Sequence, residues 1–108
     1  MIKVYIAGKF GTDEEKEILE KIDILCRKIG LKTFLPPRDV GIAKKFSDVK
    51  RIFGGDIGKG FKDCGLVIAS LEGLHVGAGT SWELGYAYAS GIPAIGIKTD
   101  EPVEDALE

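Results

Sequence analysis

The run Leu66-Val67-Ile68-Ala69-Ser70-Leu71 constrains this chain more than any other feature. A short apolar run of this length reads as a strand, and one without polar alternation is covered on both faces. That pattern belongs to parallel sheets flanked by helices, whereas a strand with one face in water alternates. The rest of the chain must therefore supply further strands and crossover helices for both faces.

The remaining pattern meets this demand. Ile2-Lys3-Val4-Tyr5-Ile6-Ala7 is rich in β-formers, ends at Gly8 and predicts a first strand. Thr12 and Glu15 have capping-box spacing, so a helix is expected to start there. Ile18, Leu19, Ile22, Leu25, Cys26 and Ile29 repeat with helical period, and Gly30 suits the position just past the helix end. Residues 31–35 alternate as a second strand, which Pro36-Pro37 is expected to stop. A polar loop with a weak helix over 43–53 should follow, then a short helix over 56–63 that Gly58 and Gly60 weaken. After the buried strand come a glycine-containing loop over 72–79, a helix over 80–90 and a fourth strand over 94–97. Gly91-Ile92-Pro93 separates the last two, and the acidic stretch from residue 99 is expected to form a last turn or fray.

With 108 residues, one domain is expected. The order βαβαβαβ predicts a parallel sheet between two helical layers, with any ligand bound outside the carboxyl ends of the strands. Gly8 to Gly11, Pro36 to Asp39 and Glu72 to Glu83 then share one rim.

Composition narrows the partners. The net charge is −2, and no basic stripe exists to displace counterions from a nucleic-acid polymer. A small molecule fits better. No apolar run approaches the ~20 residues that span a bilayer, and the N-terminus lacks the pattern of a signal peptide. One histidine and two distant cysteines make no metal-ligand set, so neither metal nor cofactor is expected. Cys26 and Cys64 read as reduced thiols, which fits a cytoplasmic setting.

Chemistry concentrates in Gly77-Ala78-Gly79-Thr80-Ser81-Trp82-Glu83-Leu84-Gly85-Tyr86-Ala87, between a buried strand and a helix. Its glycines admit close approach of a ligand to the backbone, and a helix start offers unpaired N–H groups. Glu83 has two readings. It completes a capping box with Thr80, or it is a carboxylate standing at the crevice. A carboxylate bound to its own N-cap would be a poor nucleophile.

Three segments carry a resemblance: Tyr5-Ile6-Ala7-Gly8, Val67-Ile68-Ala69-Ser70-Leu71-Glu72-Gly73, and the stretch from Gly79 to Ala87. Gly91-Ile92-Pro93-Ala94-Ile95-Gly96-Ile97-Lys98-Thr99-Asp100 continues it. Together they resemble the nucleoside 2-deoxyribosyltransferase family, and the likeness covers most of the chain. It implies a flavodoxin-like three-layer sandwich with four to five parallel strands in the order 2-1-3-4(-5). It also implies an enzyme acting on deoxynucleosides by a retaining double displacement, and a homodimer or larger homo-oligomer. In that scheme Glu83 attacks C1′ and releases the base, and a second base or water then takes the sugar. Tyr5 holds Glu83 through its hydroxyl, and Asp56 helps to protonate the departing base. Gly8, Lys9, Phe10, Gly77, Gly79 and Thr80 would contact substrate.

The chain departs from the family pattern in four places. Gly77 stands where transferases often have Asp, six residues before the nucleophile. Lys9 replaces the proline after strand one and could meet a 5′-phosphate as a point charge. The spacing from Asp56 to Val67 is one residue longer, and the chain stops soon after strand four. The first two point toward the related 2′-deoxynucleoside 5′-monophosphate N-hydrolases, although the phosphate-binding serines of that branch are not matched. Phosphoribohydrolases that release cytokinin-type bases also use a Gly-Thr-x-x-Glu loop, but their Pro-Gly-Gly and Arg are not visible. A catalytically silent nucleotide-binding module is the third alternative. His75 reads first as a solvated loop residue and second as a proton donor, Trp82 first as core packing and second as base stacking, and Arg38 with Asp39 as either a rim contact or an ion pair.

Overall fold

The computed structural model describes residues 2–41 and 55–99, with Asp56 and Ile57 described in their backbone alone. The helix expected over 43–53 and the acidic stretch beyond residue 99 lie outside the described residues. Four strands, β1 (Lys3–Ala7), β2 (Lys32–Phe34), β3 (Cys64–Ser70) and β4 (Ala94–Ile97), form one parallel sheet in the order β2-β1-β3-β4. This is the expected order.

Strand alternation divides the interior into two cores. Val4 and Ile6 of β1 point to one face, where they meet Leu19, Ile22 and Cys26 of α1 (Asp13–Lys28). Tyr5 and Ala7 point to the other, with Val67, Ala69, Phe34, Phe61 and Ala87 of α3 (Ala78–Ala89). Val67 and Ala69 are buried on this face, while Leu66 and Ile68 on the other are half-buried against the α1-side core, so the apolar run is covered on both faces but completely on one.

Helix α1 begins as its sequence predicts. The Thr12 hydroxyl accepts from the Glu15 backbone N–H at 3.1 Å, and the Glu15 carboxylate accepts from the Thr12 N–H at 3.1 Å. Gly30 has φ +87°, a left-handed conformation that a side chain would resist.

Three local expectations need correction. Pro36-Pro37 does not merely stop β2; it opens a helical turn, α2 (Pro36–Asp39). Proline tolerates the first positions of a helix, where its missing N–H has no intrahelical partner to lose. The short helix expected over 56–63 is a π-helical turn, Asp56–Gly60. A π-turn holds one residue more per turn than an α-turn. Helix α3 starts at Ala78, two residues before the expected Thr80.

Candidate active site

That earlier start decides what Glu83 can do. Gly77 is the N-cap of α3 and no side chain caps the helix. Thr80 therefore lies inside the first turn and is buried, so the Thr80–Glu83 capping box does not form. Glu83 shares the sheet-facing stripe of α3 with Thr80 and Ala87, at spacings of three and four residues. It is half-buried, and its Oε2 accepts a hydrogen bond from the Tyr5 hydroxyl, across from β1. Tyr5 is fully buried, so its ring lies in the core and only its hydroxyl serves the carboxylate. A hydrogen bond to a charged oxygen is stronger and more orienting than a neutral one.

A series of aromatic rings surrounds this pair. The Tyr5 ring stacks with Phe61 at 4.2 Å between centroids and with Phe34 at 5.5 Å. Phe61 meets Tyr86 at 4.9 Å, and Tyr86 stacks with Trp82 at 5.4 Å. Trp82 is 46% exposed, which corrects the expectation of core packing. The sequence reading missed Phe61 and Tyr86. A signal for Tyr86 existed, since it lies three residues after Glu83 and adjoins it on the helix surface.

The glycine loop is organised by Lys9. A Cβ at Gly77 would lie 2.8 Å from Lys9 Cγ, and one at Gly73 would lie 3.0 Å from Lys9 Nζ. The lysine stem thus occupies the space a side chain at position 77 would need. Its ammonium also stands 3.7 Å from the Glu15 carboxylate. The loop is fastened to the end of β4, because Lys98 Nζ donates to the Gly73 carbonyl at 2.9 Å and Glu72 accepts from the Thr99 N–H at 2.9 Å.

The other expected residues separate. Gly8 is buried at the end of β1, where a Cβ would stand 2.6 Å from Leu19 Cδ2, so it serves packing against α1. Phe10 packs against the α1-side core, across the sheet from Tyr5. Gly79 is exposed in the first turn of α3. Asp56 opens the π-turn, and its side chain lies outside the described residues. His75 is exposed in the loop before Gly77. Arg38 and Asp39 form an ion pair at 2.7 Å, and Arg38 also reaches the buried Asp23 at 3.0 Å. The Arg38 guanidinium, by direct hydrogen bonding, holds the Asp39 carboxyl below its ordinary range. Among the described residues, no cluster of three or more His, Cys, Asp or Glu could hold a metal ion. Among them too, no helix is long and apolar enough to cross a membrane.

A parallel α/β sheet with a helix-borne carboxylate, held by a tyrosine of β1, defines a flavodoxin-like protein. Residues 4–106 match the family model described as nucleoside 2-deoxyribosyltransferase, and the chain belongs to that family. The crystal structure of a conserved protein from Enterococcus faecalis V583 is similar, with a TM-score of 0.81 and 28% identity, over 94% of this chain and 65% of that one. This chain thus spans just under two thirds of that protein's length. The fold also matches the 2-deoxyribosyltransferase of the psychrotolerant bacterium Bacillus psychrosaccharolyticus, with a TM-score of 0.76 and 23% identity, over 93% of this chain and 75% of that one. No curated protein matches the chain.

Proposed function

We propose that this chain cleaves the N-glycosidic bond of 2′-deoxynucleosides and passes the sugar to a second base. Glu83 is the nucleophile. One of its carboxylate oxygens bonds to C1′ as the bond from C1′ to the base nitrogen breaks, and that electron pair leaves with the base. The departing nitrogen takes up a proton, for which Asp56 is the candidate donor. A nitrogen of the incoming base then bonds to C1′ and returns its proton to the Asp56 carboxylate, the Glu83 carboxylate leaves, and two inversions give net retention. Tyr5 keeps the carboxylate aimed, which conserves the orientation that makes attack fast.

One observation carries this reading. Glu83 is bonded to Tyr5 and not to its own helix start. That arrangement suits a nucleophile and has no use in capping.

A second reading, hydrolysis of 2′-deoxynucleoside 5′-monophosphates, is favoured by Lys9. Its side chain lies across Gly77 and Gly73 at the rim, where the family pattern has a carboxylate. That exchange replaces a negative charge by a positive one, which suits an anionic substrate.

The test follows base release from each deoxynucleoside and each 5′-monophosphate, with and without a free acceptor base. Transferase activity predicts exchange that requires acceptor. Hydrolase activity predicts release without it, from monophosphates in preference. Glu83→Ala should abolish either activity while leaving the fold intact. Binding without any release from any substrate would mark a silent module and defeat both readings.

A further inference from the structure

Gly60 ends the π-turn against the Tyr5 ring. A Cβ at this position would overlap Tyr5 Cε2 and lie 2.8 Å from both Tyr5 Cδ2 and Phe34 Cε1. These are ring atoms of buried residues, and they have little room to retreat. Tyr5 is fully buried with Phe61 stacked on it at 4.2 Å. Nor can the turn move away freely, because Lys3 Nζ donates to the Lys59 and Lys62 carbonyls and ties it to β1 two residues before Tyr5. Gly60 is not among the glycines with left-handed φ, so space and not backbone conformation is what requires it.

We propose that Gly60 is a positioning residue for the Tyr5–Glu83 pair: by presenting no side chain, it lets the Tyr5 ring lie where its hydroxyl reaches the carboxylate. Phe61 completes the device. It stacks on Tyr5 and meets Tyr86 at 4.9 Å, on the helix that carries Glu83, so one ring touches both supports of the pair. A ring displaced by about an ångström loses a good hydrogen bond, and misplacement of that size costs up to roughly a hundredfold in rate. The inference rests on the reading of Glu83 as nucleophile, but the hydrogen bond it concerns can be measured without turnover.

The experiment is a double-mutant cycle of Gly60→Ala and Tyr5→Phe, with Gly58→Ala as control. Gly58 lies in the same turn, and a Cβ there meets nothing within 4 Å among the described residues. Gly60→Ala should lower kcat for base release roughly ten- to a hundredfold with little change in KM. The double variant should be no slower than the slower single one, and Gly58→Ala should stay within about twofold of the parent. In ligand-free protein, the Tyr5 Cζ resonance should move on Glu83→Gln in the parent and stay still in the Gly60→Ala background. Multiplying effects of Gly60→Ala and Tyr5→Phe on kcat, or a Tyr5 resonance that still responds to Glu83→Gln, would overturn the proposal. If Gly60→Ala does not fold, Phe61→Leu takes its place under the same criteria. If the parent releases no base from any deoxynucleoside or monophosphate, the assignment of function fails and the resonance measurement alone decides the positioning role.

Discussion

At the scale of residues, Lys9 and Gly77 must be considered together. The lysine stem fills the volume that any side chain at 77 would claim. The two positions fit together, a residue without a side chain leaving room for a long cation. Lys9→Ala should raise KM for a 5′-monophosphate about tenfold, the worth of a charged hydrogen bond, and leave that for the free nucleoside nearly unchanged. Gly77→Ala should act in the same direction by pushing the stem aside. Steady-state kinetics on the paired substrates check both, and an equal effect on the two substrates would remove Lys9 from the phosphate. Asp23 presents a different balance. It is buried, pairs with Arg27 at 3.2 Å and Arg38 at 3.0 Å, and keeps Oδ1 without a hydrogen-bond partner among the described residues. Arg38→Ala should therefore cost about 1–3 kcal/mol in denaturant unfolding, since it strips a buried carboxylate of one of its two cations.

At the scale of elements, helix starts decide the outcome. The Thr12–Glu15 box is real and sets the first residue of α1. Thr12→Ala should cost about 1 kcal/mol, a drop of roughly 4 °C in Tm for a domain of this size, with little effect on base release. The same sequence pattern at Thr80 and Glu83 fails. Gly77 already occupies the N-cap, and Thr80 is drawn into the core while Glu83 finds Tyr5. A capping box is worth about a kilocalorie, so a tertiary hydrogen bond and added burial can outweigh it. The π-turn is the third case. It ends at Gly60, and Phe61 directly after it enters the core.

For the whole molecule, two opposite shifts among the described residues bear on stability against pH. Hydrogen bonding to Arg38 lowers the folded-state value of Asp39. Its contribution is full above the ordinary carboxylate range and is lost as pH falls through the folded value. Burial, with the Asp23 charge beside it, raises Cys26 above its ordinary 9.0. That contribution is full below the unfolded thiol's value and is lost as pH rises past it. Stability should therefore decline on both sides of neutrality. Asp39→Asn should flatten the acid limb and Cys26→Ala the alkaline one, each read as ΔG of unfolding against pH. An acid limb unchanged by Asp39→Asn would assign it to other carboxylates.

Most of the local signals were legible in the chain, though not the turn that Pro36-Pro37 opens or the first residue of α3. The unbroken apolar run of β3, the box at Thr12, Gly30 past the helix end and the βαβ order together specify a parallel sheet with two cores. These depend on neighbours within a few residues, where propensity, periodicity and capping act. Glu83 and Tyr5 were legible too, though only through resemblance to a family. Three things were not: that the start of α3 passes over Thr80, where Trp82 points, and that Asp56–Gly60 winds as a π-turn. Each is a contest between a short-range preference of about a kilocalorie and contacts made by residues far away in the chain, such as Tyr5 and Glu83, 78 positions apart. Packing and hydrogen bonding across the sheet settle such contests, and they exist only once the chain has folded.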